Sequence, residues 1–123
     1  MKRPVNLSLT TMRFPITAIV SILHRASGVI LFLFIPVLLL LLNGSLKSEE
    51  SFLYVAHVLS HPMIKIVVWG FLLALAYHLI AGVRHLMMDM GFGETLKTAR
   101  ASSMLVFLLV ALIALALGVF LWA

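Results

Sequence analysis

Cysteine is absent from this chain of 123 residues. Disulfide frameworks, Cys-ligated zinc, iron–sulfur clusters and C-x-x-C-H haem attachment are therefore all excluded. Charge is nearly as scarce: charged residues make up 11% of the sequence and only four residues are acidic, where a soluble domain carries about 25% charged residues. Hydrophobic residues make up 63%, against roughly 45–50% in soluble proteins. Too little polar surface would remain to cover a soluble fold of this size. The chain reads instead as a single-domain (1–123), all-α integral membrane protein facing a lipid bilayer. A net charge of +5 would suit a nucleic-acid partner, but basic residues in membrane chains mark cytoplasmic ends. No nucleic-acid partner is expected.

Three apolar stretches are present. Gly28 to Leu42 is free of charge but shorter than the ~20 residues that cross a bilayer core. The helix should therefore extend back through ITAIVSILHRAS, with Pro36 as a kink and Asn43-Gly44-Ser45 as the terminating turn. The second run begins near Pro62 and ends before Arg84-His85, with Lys65 able to snorkel and Trp69 read as an interfacial anchor. The third, Met104 to Ala123, carries no charge. Spans of about 20–43, 62–86 and 103–123 follow. Lys2, Arg3, Arg13 and Arg25 precede or open the first span, and only Lys47 lies in the first loop. Arg84, Lys97 and Arg100 lie in the second loop. This bias predicts a cytoplasmic N-terminus and an external C-terminus. No cleaved signal peptide is expected, since no small-residue cleavage motif follows the first apolar run. Ala114 with Gly118, and Ala74, Ala76, Ala81 and Gly82, allow close helix approach. Three helices have little interior of their own, so the chain suits a place in a larger heteromeric bundle and is no complete enzyme alone.

Ionisable groups at membrane depth mark function by default. Ser21, His24 and Arg25 share a helix face at the entrance of the first span, and lipid-phosphate anchoring is the plain alternative for Arg25. In the second span, His78 needs a partner. Proton relay, a structural hydrogen bond and metal ligation are all open to it. Gly82 clears the same face, which could admit a flat macrocycle. Arg84 and His85 lie at the water boundary, where they could meet haem propionates. His78 and His85 are ~10.5 Å apart along a helix axis, too far to share one iron, so a six-coordinate haem would take its second ligand from another chain. His57 and His61 in the outer loop read as surface residues lacking a third ligand, and Asp89 as a solvated carboxylate.

Arg3-Pro4-Val5-Asn6-Leu7, Ser21-x-x-His24-Arg25-x-Ser27-Gly28 and His78-x-x-x-Gly82-x-Arg84-His85 with Asp89 together resemble the cytochrome b556 membrane anchors of bacterial succinate dehydrogenase, complex II. The resemblance covers nearly the whole chain. It implies that His78 is an axial ligand of haem b, with the other ligand supplied by a second anchor subunit. It also implies that Ser21 and Arg25 line a ubiquinone site, and that His24, Arg25 and His85 lie near the haem edge. The flavoprotein and iron–sulfur subunits would carry succinate oxidation, in keeping with the missing cysteine, and the location would be the bacterial inner membrane. Ser21 offers a hydroxyl and Arg25 a permanent charge to a headgroup that becomes anionic on reduction. A menaquinol-linked fumarate reductase anchor and a non-catalytic membrane scaffold are the alternative readings.

Overall fold

The computed structural model describes residues 15–123; Lys2, Arg3, Arg13 and the Arg3–Leu7 motif lie outside that range. Among the described residues four helices follow one another: α1 (Ile16–Lys47), α2 (Glu49–Ser60), α3 (Pro62–Asp89) and α4 (Leu96–Trp122). The described residues contain no strand. α1, α3 and α4 are long and apolar enough to cross a membrane. Their 32, 28 and 27 residues correspond to roughly 40–48 Å at 1.5 Å per residue. A hydrocarbon core is ~30 Å thick, so each helix is longer than the core it would cross.

The first span does not stop at Asn43-Gly44-Ser45 as expected; α1 runs unbroken to Lys47 and through Pro36. The Ser45 hydroxyl and the Gly44 carbonyl find partners within the helix and from its neighbour. Ser45 Oγ donates to the Leu42 carbonyl at 2.7 Å, and Ser51 Oγ reaches the Gly44 carbonyl from α2. A Cβ at Gly44 would stand 3.3 Å from Val55 Cγ2, so this glycine permits helix approach where a turn was expected. The break falls at Ser48, which is extended (φ −162°) and caps α2 by accepting from the Ser51 amide at 3.0 Å. Glu49 and Glu50 then favour the positive end of the α2 dipole.

The outer segment holding His57 and His61 is thus largely helical. His57 and His61 are both exposed, and His61 acts locally, because its Nδ1 accepts from the Met63 amide at 3.2 Å and so caps α3. Pro62 opens α3 at a position that needs no amide hydrogen. The second connection is shorter than the gap expected between spans ending near 86 and starting near 103. α3 ends at Asp89 and α4 starts after Thr95. Gly91 at φ +89° and Gly93 at φ +69° supply the left-handed conformations that reverse the chain. Ser102 and Ser103 remain helical because their hydroxyls donate back to the Ala99 carbonyl at 3.1 and 2.8 Å.

The buried centre is small. Val20, Tyr77, Ala81 and Val106 form it, flanked by Ile80, Phe107 and Val110. Tyr77 donates its hydroxyl to the Val20 carbonyl at 2.7 Å, tying α3 to α1. At the opposite end, Trp69 Nε1 donates to the Ala114 carbonyl at 3.0 Å, and Gly118 lies close enough that an added Cβ would meet that nitrogen at 3.8 Å. Trp69 is therefore a helix–helix contact where an interfacial anchor was expected. Lys65 Nζ donates to the Leu121 carbonyl at 3.0 Å, complementing the free C-terminal carbonyls of α4. Large apolar side chains elsewhere point outward, up to 78% exposed at Phe120. Such surface suits lipid and further helices.

Candidate functional site

Successive residues of an α-helix turn by about 100°. Val20 and Ser27 of α1 and Tyr77, Ala81 and Arg84 of α3 are buried. Stepping from them by that angle places Ser21, His24, Arg25 and Gly28 on one flank of α1. His78, Gly82 and His85 fall on one flank of α3 by the same count. The contacts between His24, Gly28, His78 and Gly82 bring these two flanks together. Two clusters separated by some fifty residues of sequence thus become one.

His24 and His78 stack with ring centroids 4.2 Å apart and planes 6° from parallel. His85 lies 5.1 Å from His24 and is tilted by 56°. Two glycines make this possible. A Cβ at Gly28 would approach His78 Cε1 to 3.1 Å, and one at Gly82 would approach His24 Nε2 to 3.3 Å. In this structure the flat ring seated against Gly82 is the His24 imidazole.

His78 is held through Nδ1, which lies 3.0 Å from Ser27 Oγ and 3.1 Å from the His24 carbonyl. Nε2 is the nitrogen left to ligate a metal. Beside it runs an open groove lined by His24, Leu79, Gly82, Val83, His85 and Leu86. Leu79, Val83 and Leu86 are 65%, 49% and 63% exposed, so the groove wall is apolar wherever it is not imidazole. Among the described residues no three His, Asp or Glu side chains could enclose a metal ion. The cluster sets imidazole nitrogens, with His78 Nε2 left free of these hydrogen bonds, beside an apolar wall. That fits an iron already chelated in a flat ring, and it does not fit a bare cation.

Ser21 is half-buried and Arg25 exposed, one turn apart near the start of the same flank. Arg84 is not among them. It points to the other side of α3, where Nε donates to Ser102 Oγ at 2.9 Å and Nη2 to the Ala99 carbonyl at 3.2 Å. Adjacency to His85 suggested a shared site, but neighbouring helical residues diverge by about 100°. Ser27 and Tyr77 carried no expected role. Their signal was positional: Ser27 lies three residues after His24, and Tyr77 immediately before His78.

The model of the succinate dehydrogenase/fumarate reductase transmembrane subunit family matches residues 1–117. The succinate dehydrogenase cytochrome b556 subunit of Coxiella burnetii (strain RSA 493 / Nine Mile phase I) is 48% identical over 98% of each chain. The subunit of that name from Rickettsia prowazekii (strain Madrid E) is 38% identical over 78% of this chain and 74% of its own. That from Paracoccus denitrificans is 35% identical over 82% of this chain and 78% of its own.

Proposed function

The chain belongs to the succinate dehydrogenase/fumarate reductase transmembrane subunit family, and from that membership we propose that it anchors a succinate:ubiquinone oxidoreductase, complex II, in a bacterial inner membrane. In this reading it holds haem b jointly with a second anchor subunit and forms part of the ubiquinone-reduction site. The flavoprotein and iron–sulfur subunits oxidise succinate, and this chain receives the lipid-borne acceptor.

One observation carries the haem assignment: His78 presents an imidazole fixed through Nδ1 on an open groove whose other walls are apolar side chains and the rings of His24 and His85. Hydrogen bonding at one ring nitrogen is the usual way a protein orients a metal-ligating histidine. When bound, haem b supplies a one-electron carrier beside the quinone. His24 and His85 border the same groove and can donate to the propionate edge. Arg84, committed to α4, serves the helix contact.

Ser21 and Arg25 face the membrane–water boundary, where quinone arrives laterally and protons arrive from the cytoplasm. The quinone carbonyls need donors as charge develops on them. A serine hydroxyl and an arginine fork at i and i+4 provide both a hydrogen bond and a fixed positive charge. The N-terminal turns of α1 add a dipole of the favourable sign.

The test is a reduced-minus-oxidised optical spectrum of the purified complex. His78→Ala should abolish or perturb a low-spin b-type signal that His57→Ala leaves intact. A normal bis-histidine spectrum in the His78 variant, or no b-type signal in the unaltered complex, would overturn the haem assignment.

A further inference from the structure

Ser27 is neither an iron ligand nor a headgroup donor in the proposed function, yet it is the buried hydroxyl next to the ligand. The residue is 5% exposed. Three separations close a triangle around it. Ser27 Oγ lies 2.8 Å from the His24 carbonyl oxygen and 3.0 Å from His78 Nδ1. His78 Nδ1 lies 3.1 Å from that same carbonyl. A carbonyl oxygen has no proton to give, so its contact with Nδ1 requires the proton to reside on Nδ1. Ser27 sends its own proton to the carbonyl, which leaves its oxygen as an acceptor toward His78. The Nδ1 proton is thereby shared between two acceptors, and in the neutral ring Nε2 keeps the lone pair.

We propose that Ser27 is the positioning residue for the iron ligand: its hydroxyl fixes His78 as the Nδ1-protonated tautomer and sets the swivel of the ring. This rests on the reading of His78 as a haem ligand. With the carbonyl alone as acceptor, the imidazole could turn about its Cβ–Cγ bond while keeping one hydrogen bond. A second acceptor in a different direction removes that freedom. Gly28, where a Cβ would come within 3.1 Å of Cε1, bounds the ring closely on the α1 side. Ser27 touches neither haem nor quinone in this scheme and acts only through His78.

Ser27→Ala and Ser27→Thr in the assembled complex test the assignment. Haem content, the low-spin electron paramagnetic resonance signal of the oxidised complex and the haem midpoint potential are the readings. Outer partners of ligating histidines typically contribute 10–100-fold to metal affinity. The alanine variant should thus lose on the order of 10-fold in haem affinity, with a broadened or shifted low-spin signal. Its potential should rise, because the ligand has lost an acceptor that increased its basicity. The threonine variant, keeping the hydroxyl, should restore all three. If Ser27→Ala does not assemble, Ser27→Cys, similar in size but a weak acceptor, takes its place with the same readings. An alanine or cysteine variant with unchanged signal, potential and haem content overturns the proposal. Equal loss in the alanine and threonine variants also overturns it, since the site would then respond to volume and not to the hydroxyl. A normal bis-histidine spectrum in His78→Ala would instead remove the ligand assignment itself, whatever the Ser27 variants do.

Discussion

The imidazoles of His24 and His78 lie face to face, 4.2 Å between centroids and 6° from parallel, although 54 residues separate them in sequence. Each ring occupies space that a glycine of the opposite helix leaves free. Ring and glycine are therefore matched in pairs across the α1–α3 contact, His78 with Gly28 and His24 with Gly82.

Enlarging either glycine should displace its ring. Gly28→Val places branched carbons where a single Cβ would already stand 3.1 Å from His78, and haem content should fall with the complex still assembled. Gly70→Ala, where an added Cβ meets nothing within 4 Å, should leave the spectrum unchanged. Haem-to-protein ratios of the two purified complexes make the comparison.

Ser21→Ala should lower quinone reduction on the order of 10²-fold, the typical loss of one preorganised donor. Succinate oxidation with an artificial soluble acceptor should stay nearly intact. Parallel assays of the two activities separate a headgroup role from an assembly role. If both activities fall together, Ser21 serves assembly.

Arg84→Gln should destabilise the chain without moving the haem spectrum, since its guanidinium bonds Ser102 and the Ala99 carbonyl of α4. His85→Ala should do the reverse, shifting the spectrum with little effect on stability. Thermal inactivation of the complex alongside its optical spectrum distinguishes the two; a spectral shift in Arg84→Gln would return that residue to the haem edge.

Topology is open to a direct reading. A reporter fused after Ala123 should respond as external to the membrane, as the basic residues at the opposite ends of the spans predict. A cytoplasmic response would move both sites to the other side of the bilayer.

Three long apolar helices were legible in the sequence because charge-free runs of that length have few alternatives. Their ends were not. Asn43-Gly44-Ser45 and Ser102-Ser103 have loop composition, but their hydroxyls are satisfied by carbonyls of their own helices. Nothing in a linear pattern reveals that. Spacing likewise identified Ser21, His24 and Arg25, and separately His78, Gly82 and His85, as two clusters. That they are one depends on how α1 sits against α3, which no local pattern encodes. Arg84, read with His85 from their shared place at the water boundary, is carried by the helical rotation to the other flank, where it bonds Ser102 and Ala99.

The bond from Tyr77 to the Val20 carbonyl has a bearing on tolerance. Two smooth apolar helices can slide past one another in steps of a turn, about 5.4 Å, at little cost in dispersion. Here a slip of part of a turn would pull the phenolic hydroxyl off its carbonyl, with several kcal/mol at stake for an unsatisfied polar group in hydrocarbon. It would also push each imidazole out of its glycine-lined recess. The α1–α3 pair therefore behaves as a keyed joint with one seating, and substitutions on the lipid-facing surface can vary without disturbing the alignment of the rings within it.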